Sequence, residues 1–235
     1  MIAAKRLQRE RVRSRDAAPI DATTIADAAS QFGLALNESQ SSALSQYAAL
    51  LLRWNSVHNL TAIDSPAQVL THHLLDSLAI VPEIQRRAPA GSLRVLDVGA
   101  GGGLPGIPLA IAAPEMQVTL IDKVQKKIAF LNQVKLELGL NNVTCHHGRV
   151  EALQSDSPYE VIVARAFASL AEFVRLTRHL LARHGGWFAM KGAVQSEELD
   201  KLKLAPDVRV VETIRLRVPG LQAERHLLVM QLIER

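Results

Sequence analysis

Two carboxylates and a run of glycines carry the first chemical signal in this chain. Residues 97–111 read DVGAGGGLPGIPLAI, with five glycines among the first ten positions, directly after the apolar run LRVL. Asp122 closes the next apolar run, VTLID, about 20 residues beyond the glycines. Glycines at the end of a strand let the backbone approach a ligand closely, and an acid ending the following strand can accept both hydroxyls of a ribose. Together they point to a nucleoside, and two cofactors satisfy that. Gly101, Gly103 and Gly106 spell G-x-G-x-x-G, which would seat a dinucleotide pyrophosphate at a helix N-terminus. The wider DVGAGGG spells the D-x-G-x-G-x-G loop of an S-adenosylmethionine (AdoMet) site. Asp97 separates the two. At the strand tip it would repel a pyrophosphate, but it can serve the cationic amino-acid end of AdoMet, directly or through water. The G-x-G-x-x-G register also starts late for a tight strand-to-helix turn and contains Pro105. AdoMet fits better, with Asp97, Gly101 and Asp122 at the site.

Such a loop needs a parallel sheet beneath it. From Leu93 short apolar runs alternate with helical periods: RVLDV, a helix from about Leu104, QVTLID, a helix over 123–139, NVTC, YEVIVA, a helix over 170–183, and GWFAMK. This βαβα alternation predicts helices on both faces of a mostly parallel sheet, whose strands read as continuous apolar runs. The last two runs, in DVRVVETIRLRVPG and ERHLLVMQLIE, lack an intervening helix, so an antiparallel pair is expected to close the sheet edge. Upstream, Asn37 with Gln40 reads as a capping box before SALSQYAALLLRW, and Ser65-Pro66 opens a further helix. Gly139 reads as a helix C-cap. RRAPAGS, 86–92, reads as a linker. The chain thus divides into a tail over 1–19, a helical cap over 20–90 and an α/β domain over 91–235.

Composition narrows the class. Hydrophobic residues make up 48% of the 235, enough for a sizeable core, and no apolar run nears the roughly 18 residues of a membrane span. The start lacks the apolar stretch of a secretory signal, and Cys145, the single cysteine, fits a reducing compartment. Cytoplasmic localisation is the expectation. The net charge of +4 sits wholly in residues 1–16, which hold six basic against two acidic side chains. That segment reads as a solvated disordered tail, with a phosphate-contacting arm or an organelle presequence as alternatives.

Eight segments go further. RWNSVHNLTAI (Arg53–Ile63), HHLLDSL (His72–Leu78), the glycine segment, KKIAFL (Lys126–Leu131), GRVEAL (Gly148–Leu153), VARAFASL (Val163–Leu170), MKG (Met190–Gly192) and ERHLLV (Glu224–Val229) resemble the bacterial small-subunit rRNA guanine-N7 methyltransferases, also called glucose-inhibited division protein B. The likeness runs in order from about residue 37 to the C-terminus. It implies a class I AdoMet-dependent methyltransferase fold, Rossmann-like and seven-stranded, with an N-terminal helical cap. It implies AdoMet as donor and N7 of one guanine in small-subunit rRNA as acceptor. By motif, Gly99 and Leu104 would line the glycine loop, Val150 and Glu151 flank the adenine, and Arg165 lie beside cofactor and acceptor base. Asp122 matches the ribose acid in position only.

N7 of guanine carries an in-plane lone pair and no hydrogen, so no general base is needed and the product ring is cationic. Alignment and exclusion of water are the demands. The sequence agrees with this. No NPPY or DPPY follows the fourth strand, as attack by an exocyclic amine would use, and Cys145 lacks a Pro-Cys context and reads as a buried inert thiol. Arg149, Arg165, Lys191 and Arg225 follow strands or open turns. Arg donating to N7 would block the acceptor, so these side chains are expected at O6, the phosphates or the cofactor carboxylate. Arg149, Lys191 and Arg225 are the candidate RNA contacts. Arg165, Asn59 and His73 are the candidate catalytic set. Asn59 could read a base edge or cap a turn. His73 and Asp76, three apart, read as a carboxylate-held histidine bracing the cap against the glycine loop, or as a substrate contact. Trp54 and Trp187 read as core, and no metal site is expected. The expected partner is small-subunit rRNA or a ribosomal particle, met by a monomer. A methyltransferase acting on another RNA, a non-catalytic ribosome-assembly factor and a nicotinamide oxidoreductase are the rival readings.

Overall fold

The computed structural model describes residues 19–87, 93–165, 167, 169–194 and 207–233. The basic tail and most of the expected linker lie outside the described residues. The cap begins with α1, Ala22–Ser30, whose N-cap Asp21 accepts from the Thr24 N–H. Helix α2, Glu38–His58, carries the expected capping box: Asn37 Oδ1 accepts from Gln40 N, and Gln40 Oε1 from Asn37 N, both at 2.9 Å. These contacts satisfy N–H groups that the first helical turn otherwise leaves without partners. The helical run 66–78, α3, starts at Ser65-Pro66 as expected. Its middle, Val69–Leu75, is π-helical, which the sequence did not announce. A short α4, Val81–Arg87, ends the cap.

Seven strands form one sheet in the order β3-β2-β1-β4-β5-β7-β6. They are β1 Arg94–Val98, β2 Gln117–Asp122, β3 Val143–His147, β4 Tyr159–Arg165, β5 Leu181–Lys191, β6 Val208–Leu216 and β7 Arg225–Leu232. Strands β1 to β5 pair in parallel, and β7 pairs antiparallel with both β5 and β6. The expected antiparallel closure is therefore present, but β7 is interior and β6 is the edge. Helices α5 Gly106–Ala112, α6 Gln125–Leu138 and α7 Leu170–Thr177 connect the parallel strands. Gly139 ends α6 in the left-handed conformation, as expected of a C-cap. Helix α7 is shorter than expected. After Arg178–Leu180 the chain turns directly into β5, and Gly185 lets β5 pass the carbonyls of Tyr159 and Glu160 where a Cβ would come within about 3.0 Å.

One core joins cap and sheet. Leu44, Tyr47, Ala48 and Leu51 of α2 pack with Ile107, Leu120, Phe130 and Leu131 of the α/β half. Each fully buried side chain of this size contributes roughly 1.5–3 kcal/mol, so the cap is part of the folded unit rather than an appendage. A second core, around Trp187, Phe173 and Ile162, fills the other face of the sheet. Trp187 is fully buried as expected, and Trp54 is half-buried with its ring 5.5 Å from Phe130.

Candidate functional site

The site is built at the carboxyl ends of the parallel strands, and it has two parts. The first is an open cavity of about 550 Å³ between the ends of β1 and β2, the 148–151 turn and α7. Gly99, Asp122, Val150 and Glu151 line it, with Arg149, Ile121, Phe167 and Leu176. Of the glycines, Gly99 faces this space: its φ is +70° and nothing stands within 4 Å of where a Cβ would be. Gly106 does other work. A Cβ there would meet Leu120 Cδ2 at 2.2 Å and Asp97 Oδ2 at 2.7 Å, so its bareness lets α5 sit against the sheet.

Two carboxylates organise the loop. Asp122 Oδ2 accepts from the Gly101 N–H at 3.0 Å, and Oδ1 from the Val124 N–H at 2.8 Å, with Lys127 Nζ 3.6 Å away. A carboxylate retains further lone pairs after two such bonds, and Asp122 stands in the cavity wall where they can take ribose hydroxyls. Asp97 is fully buried. Its Oδ2 accepts from the Gly106 N–H at 2.8 Å, and its Oδ1 has no hydrogen-bond partner in the protein. Burial pushes its pKa up to about 7, against the Gly106 N–H and the charge of Arg165. From the cap, the buried Tyr47 hydroxyl donates to the Gly102 carbonyl at 2.5 Å and pins the loop from behind.

The second part is a charged rim where cap meets β4 and β7. Arg165 ends β4, and its Nη1 lies 3.1 Å from the His72 carbonyl, 3.3 Å from His73 Nδ1 and 3.7 Å from Asp76 Oδ2. Arg225 opens β7 and donates from Nε to Asp76 Oδ1 at 3.0 Å. One buried carboxylate thus holds two guanidiniums. Burial raises the Asp76 pKa, and both arginines oppose that shift. The expected Asp76–His73 contact is not made. In the π-helical turn the side chains do not fall over one another at the α-helical three-residue spacing. His73 instead places Nε2 2.7 Å from Thr61 Oγ1. Burial, then the charge of Arg165, lowers its pKa to about 4, so the ring is neutral at physiological pH.

The structure brings together Gly99, Asp122, Arg149, Val150 and Glu151 around the cavity, and Arg165, His73 and Arg225 at the rim. Asp97, Gly101 and Leu104 stand behind the cavity in or beside the glycine loop rather than lining it. Asn59 is the left-handed C-cap of α2, exposed, with φ of 50°, two residues before the Thr61 that meets His73. Lys191 donates to the Phe167 carbonyl at 3.1 Å. Arg225 lies within the sheet, not at its edge. Tyr47, Thr61 and buried Asn55, whose amide holds Thr61 N and the Ile63 carbonyl, were not legible as site residues. Of these, only Asn55 and Thr61 fall within RWNSVHNLTAI.

Residues 40–228 match the GidB family, rRNA small subunit methyltransferase G. The chain belongs to this family. A ribosomal RNA small subunit methyltransferase G from Cupriavidus pinatubonensis is 50% identical, across 85% of this chain and 89% of that protein. The same-named protein of Ralstonia nicotianae is 54% identical, across 84% and 89%. Among solved structures, an AdoMet-dependent methyltransferase from Aquifex aeolicus superposes with a TM-score of 0.56 at 14% identity, over 74% of this chain and 97% of that one, which shows the shared fold. AdoMet is the cofactor of the GidB family, and the residues present fit it. The cavity wall combines the apolar Val98, Ile121 and Val150 with the Asp122 carboxylate, whose free lone pairs can take hydroxyls, and Asp97 has an orphaned buried oxygen suited to an ammonium group.

Proposed function

We propose that this protein methylates N7 of one guanine in small-subunit ribosomal RNA by direct in-line transfer, without a covalent enzyme intermediate, as a monomer in the cytoplasm. Family membership supports the RNA and the cofactor. The observation that carries the chemistry is the rim: two guanidiniums fixed on one carboxylate, with a neutral histidine behind them. AdoMet, when bound, supplies an electrophilic methyl carbon. Asp122 would hold its ribose, Val150 and Glu151 its adenine, Gly99 the backbone side of the pocket and Asp97 its amino group.

The protein's remaining task is to hold the base. N7 needs no deprotonation, so no residue has to take a proton from the acceptor. Arg165, the catalytic candidate, would orient the base through O6 or a flanking phosphate. A bare guanidinium there would oppose the positive charge that develops on the ring. Asp76 shares its charge with Arg165 and Arg225 and softens that opposition. Arg149 and Lys191 would take phosphates. Cys145 offers no nucleophile: it is half-buried on the edge strand β3, and burial pushes its thiol up to about 11. His73 and Asn59 would act by position, the one behind Arg165 and the other at the end of α2.

The test is transfer of labelled methyl from AdoMet to small-subunit particles and to protein-free rRNA, followed by chemical cleavage at N7-methylguanine. A single cleavage site is expected. Label without cleavage would place the methyl group on another atom, and no label in either RNA would sink the reading.

A further inference from the structure

Four neighbouring strands each bring a basic side chain to the same end of the sheet. In spatial order they are Arg165 on β4, Lys191 on β5, Arg225 on β7, and Arg215 with Arg217 at the end of β6. The register sets Lys191, His226 and Arg215 on one face and Arg165 and Arg225 on the other, and neighbouring strands lie about 4.8 Å apart, so Arg215 stands about 14 Å sideways from Arg165 and on the opposite face of the strand ends. Arg165 and Arg225 belong to the rim already described, and Lys191 bonds the Phe167 carbonyl. The outer two have no role in it. Arg215 pairs with Glu224 at 3.5 Å, but both side chains are more than half exposed, and such a pair contributes little. Arg217 is exposed and has no ion-pair partner among the described residues.

The segment that carries them is firmly seated. Val218 is buried in the main core, and the Leu221 N–H donates to the Val218 carbonyl at 3.1 Å. Gly220, with φ of +74°, lies so close to α3 that a Cβ would stand 3.1 Å from Thr71 Cγ2. Thr71 directly precedes His72, whose carbonyl receives Arg165. A recess of about 500 Å³ lies along this connection, lined by Arg215, Arg217, Gln222 and, from the cap, Gln31. Cations on a seated connection need little further ordering to meet a polyanion, unlike side chains on a loose loop.

We propose that the β6–β7 connection is a phosphate-binding arm for the substrate RNA, with Arg215 and Arg217 contacting the backbone. The RNA would then leave the guanine pocket over the ends of β5 and β7, which both faces border, toward the β6 edge. This rests on the reading of the protein as an RNA methyltransferase. The arm carries no sequence information; it fixes the register of the strand while the rim selects the base.

The experiment is salt titration of binding to a small-subunit rRNA transcript, with methyl transfer to the same transcript. It compares wild type, Arg215→Ala/Arg217→Ala and Arg183→Ala/Arg209→Ala. The last pair removes equal charge from exposed positions at the opposite end of the sheet. The arm variant should lower the slope of log Kd against log salt by about 1.4, at about 0.7 per single-strand phosphate contact. It should raise the KM for RNA and leave AdoMet affinity unchanged, while the opposite pair keeps the wild-type slope. An unchanged slope in the arm variant, or an equal or larger fall in the opposite pair, would overturn the arm. Failure of the wild type to methylate small-subunit particles as well as the transcript would instead overturn the functional reading.

Discussion

Asp97 and Asp76 are both buried carboxylates at the carboxyl end of the sheet, and they are held in opposite ways. Asp97 has one backbone N–H on one oxygen and nothing on the other. Asp76 has a guanidinium on each side, contributed from β4 and from β7. The first belongs to a half made of backbone and bare glycines, with one orphaned acceptor. The second belongs to a half made of long side chains gathered from distant parts of the chain. Under the proposed function, the cofactor half would select by what cannot be inserted, and the rim by charges already fixed in place.

Breaking the rim should give the largest effect. Arg165→Ala removes the group proposed to orient the base, and misplacement of a reacting group by about 1 Å can cost 10²-fold. At a pH well above 7, where Asp97 is ionised with or without Arg165, turnover on RNA should fall by about that factor while AdoMet binding, read by calorimetry, stays at the wild-type value. Loss of both together would erase the distinction between the halves. Gly106→Ala attacks the other half. Its Cβ would collide with Leu120 and Asp97, and overpacking of this kind costs about 1–3 kcal/mol. A lowered unfolding midpoint with weakened AdoMet binding is expected. Wild-type stability would show that the loop repacks freely. Asn59→Gly should have the smallest effect. If Asn59 matters because it ends α2 in the left-handed region, glycine serves as well, and stability and turnover should stay within about 0.5 kcal/mol of wild type. Selective loss of turnover would return Asn59 to the substrate.

These halves also differ in how far the sequence disclosed them. The strands RVLDV and QVTLID have the expected bounds because a strand buried on both faces writes itself as a continuous apolar run. The capping box at Asn37 and the C-cap at Gly139 were legible because each is satisfied within a few residues. Gly99 and Asp122 were legible for the same reason, being local to two strand ends. The rim was not. The spacing of His73 and Asp76 suggested a pair, but the π-helical turn moved them apart, and Asp76 found partners 89 and 149 residues downstream. Tyr47 reaches a carbonyl 55 residues away through packing alone. Contacts of that range depend on how cap and sheet dock, which no local pattern records.

The most direct test is the pH dependence of the two halves, measured separately. Asp97 is protonated below about 7 and ionised above it, so AdoMet affinity should rise as pH increases through that value. His73 titrates near 4 and is neutral throughout the working range, and N7 needs no base. The single-turnover rate at saturating AdoMet and RNA should therefore be flat from about pH 6 to about pH 8.5, a range that lies above the His73 value and straddles that of Asp97. A rate that climbs across this window while AdoMet affinity stays constant would contradict the account. It would place a titrating base in the transfer step and remove the charge-sensitive role from Asp97.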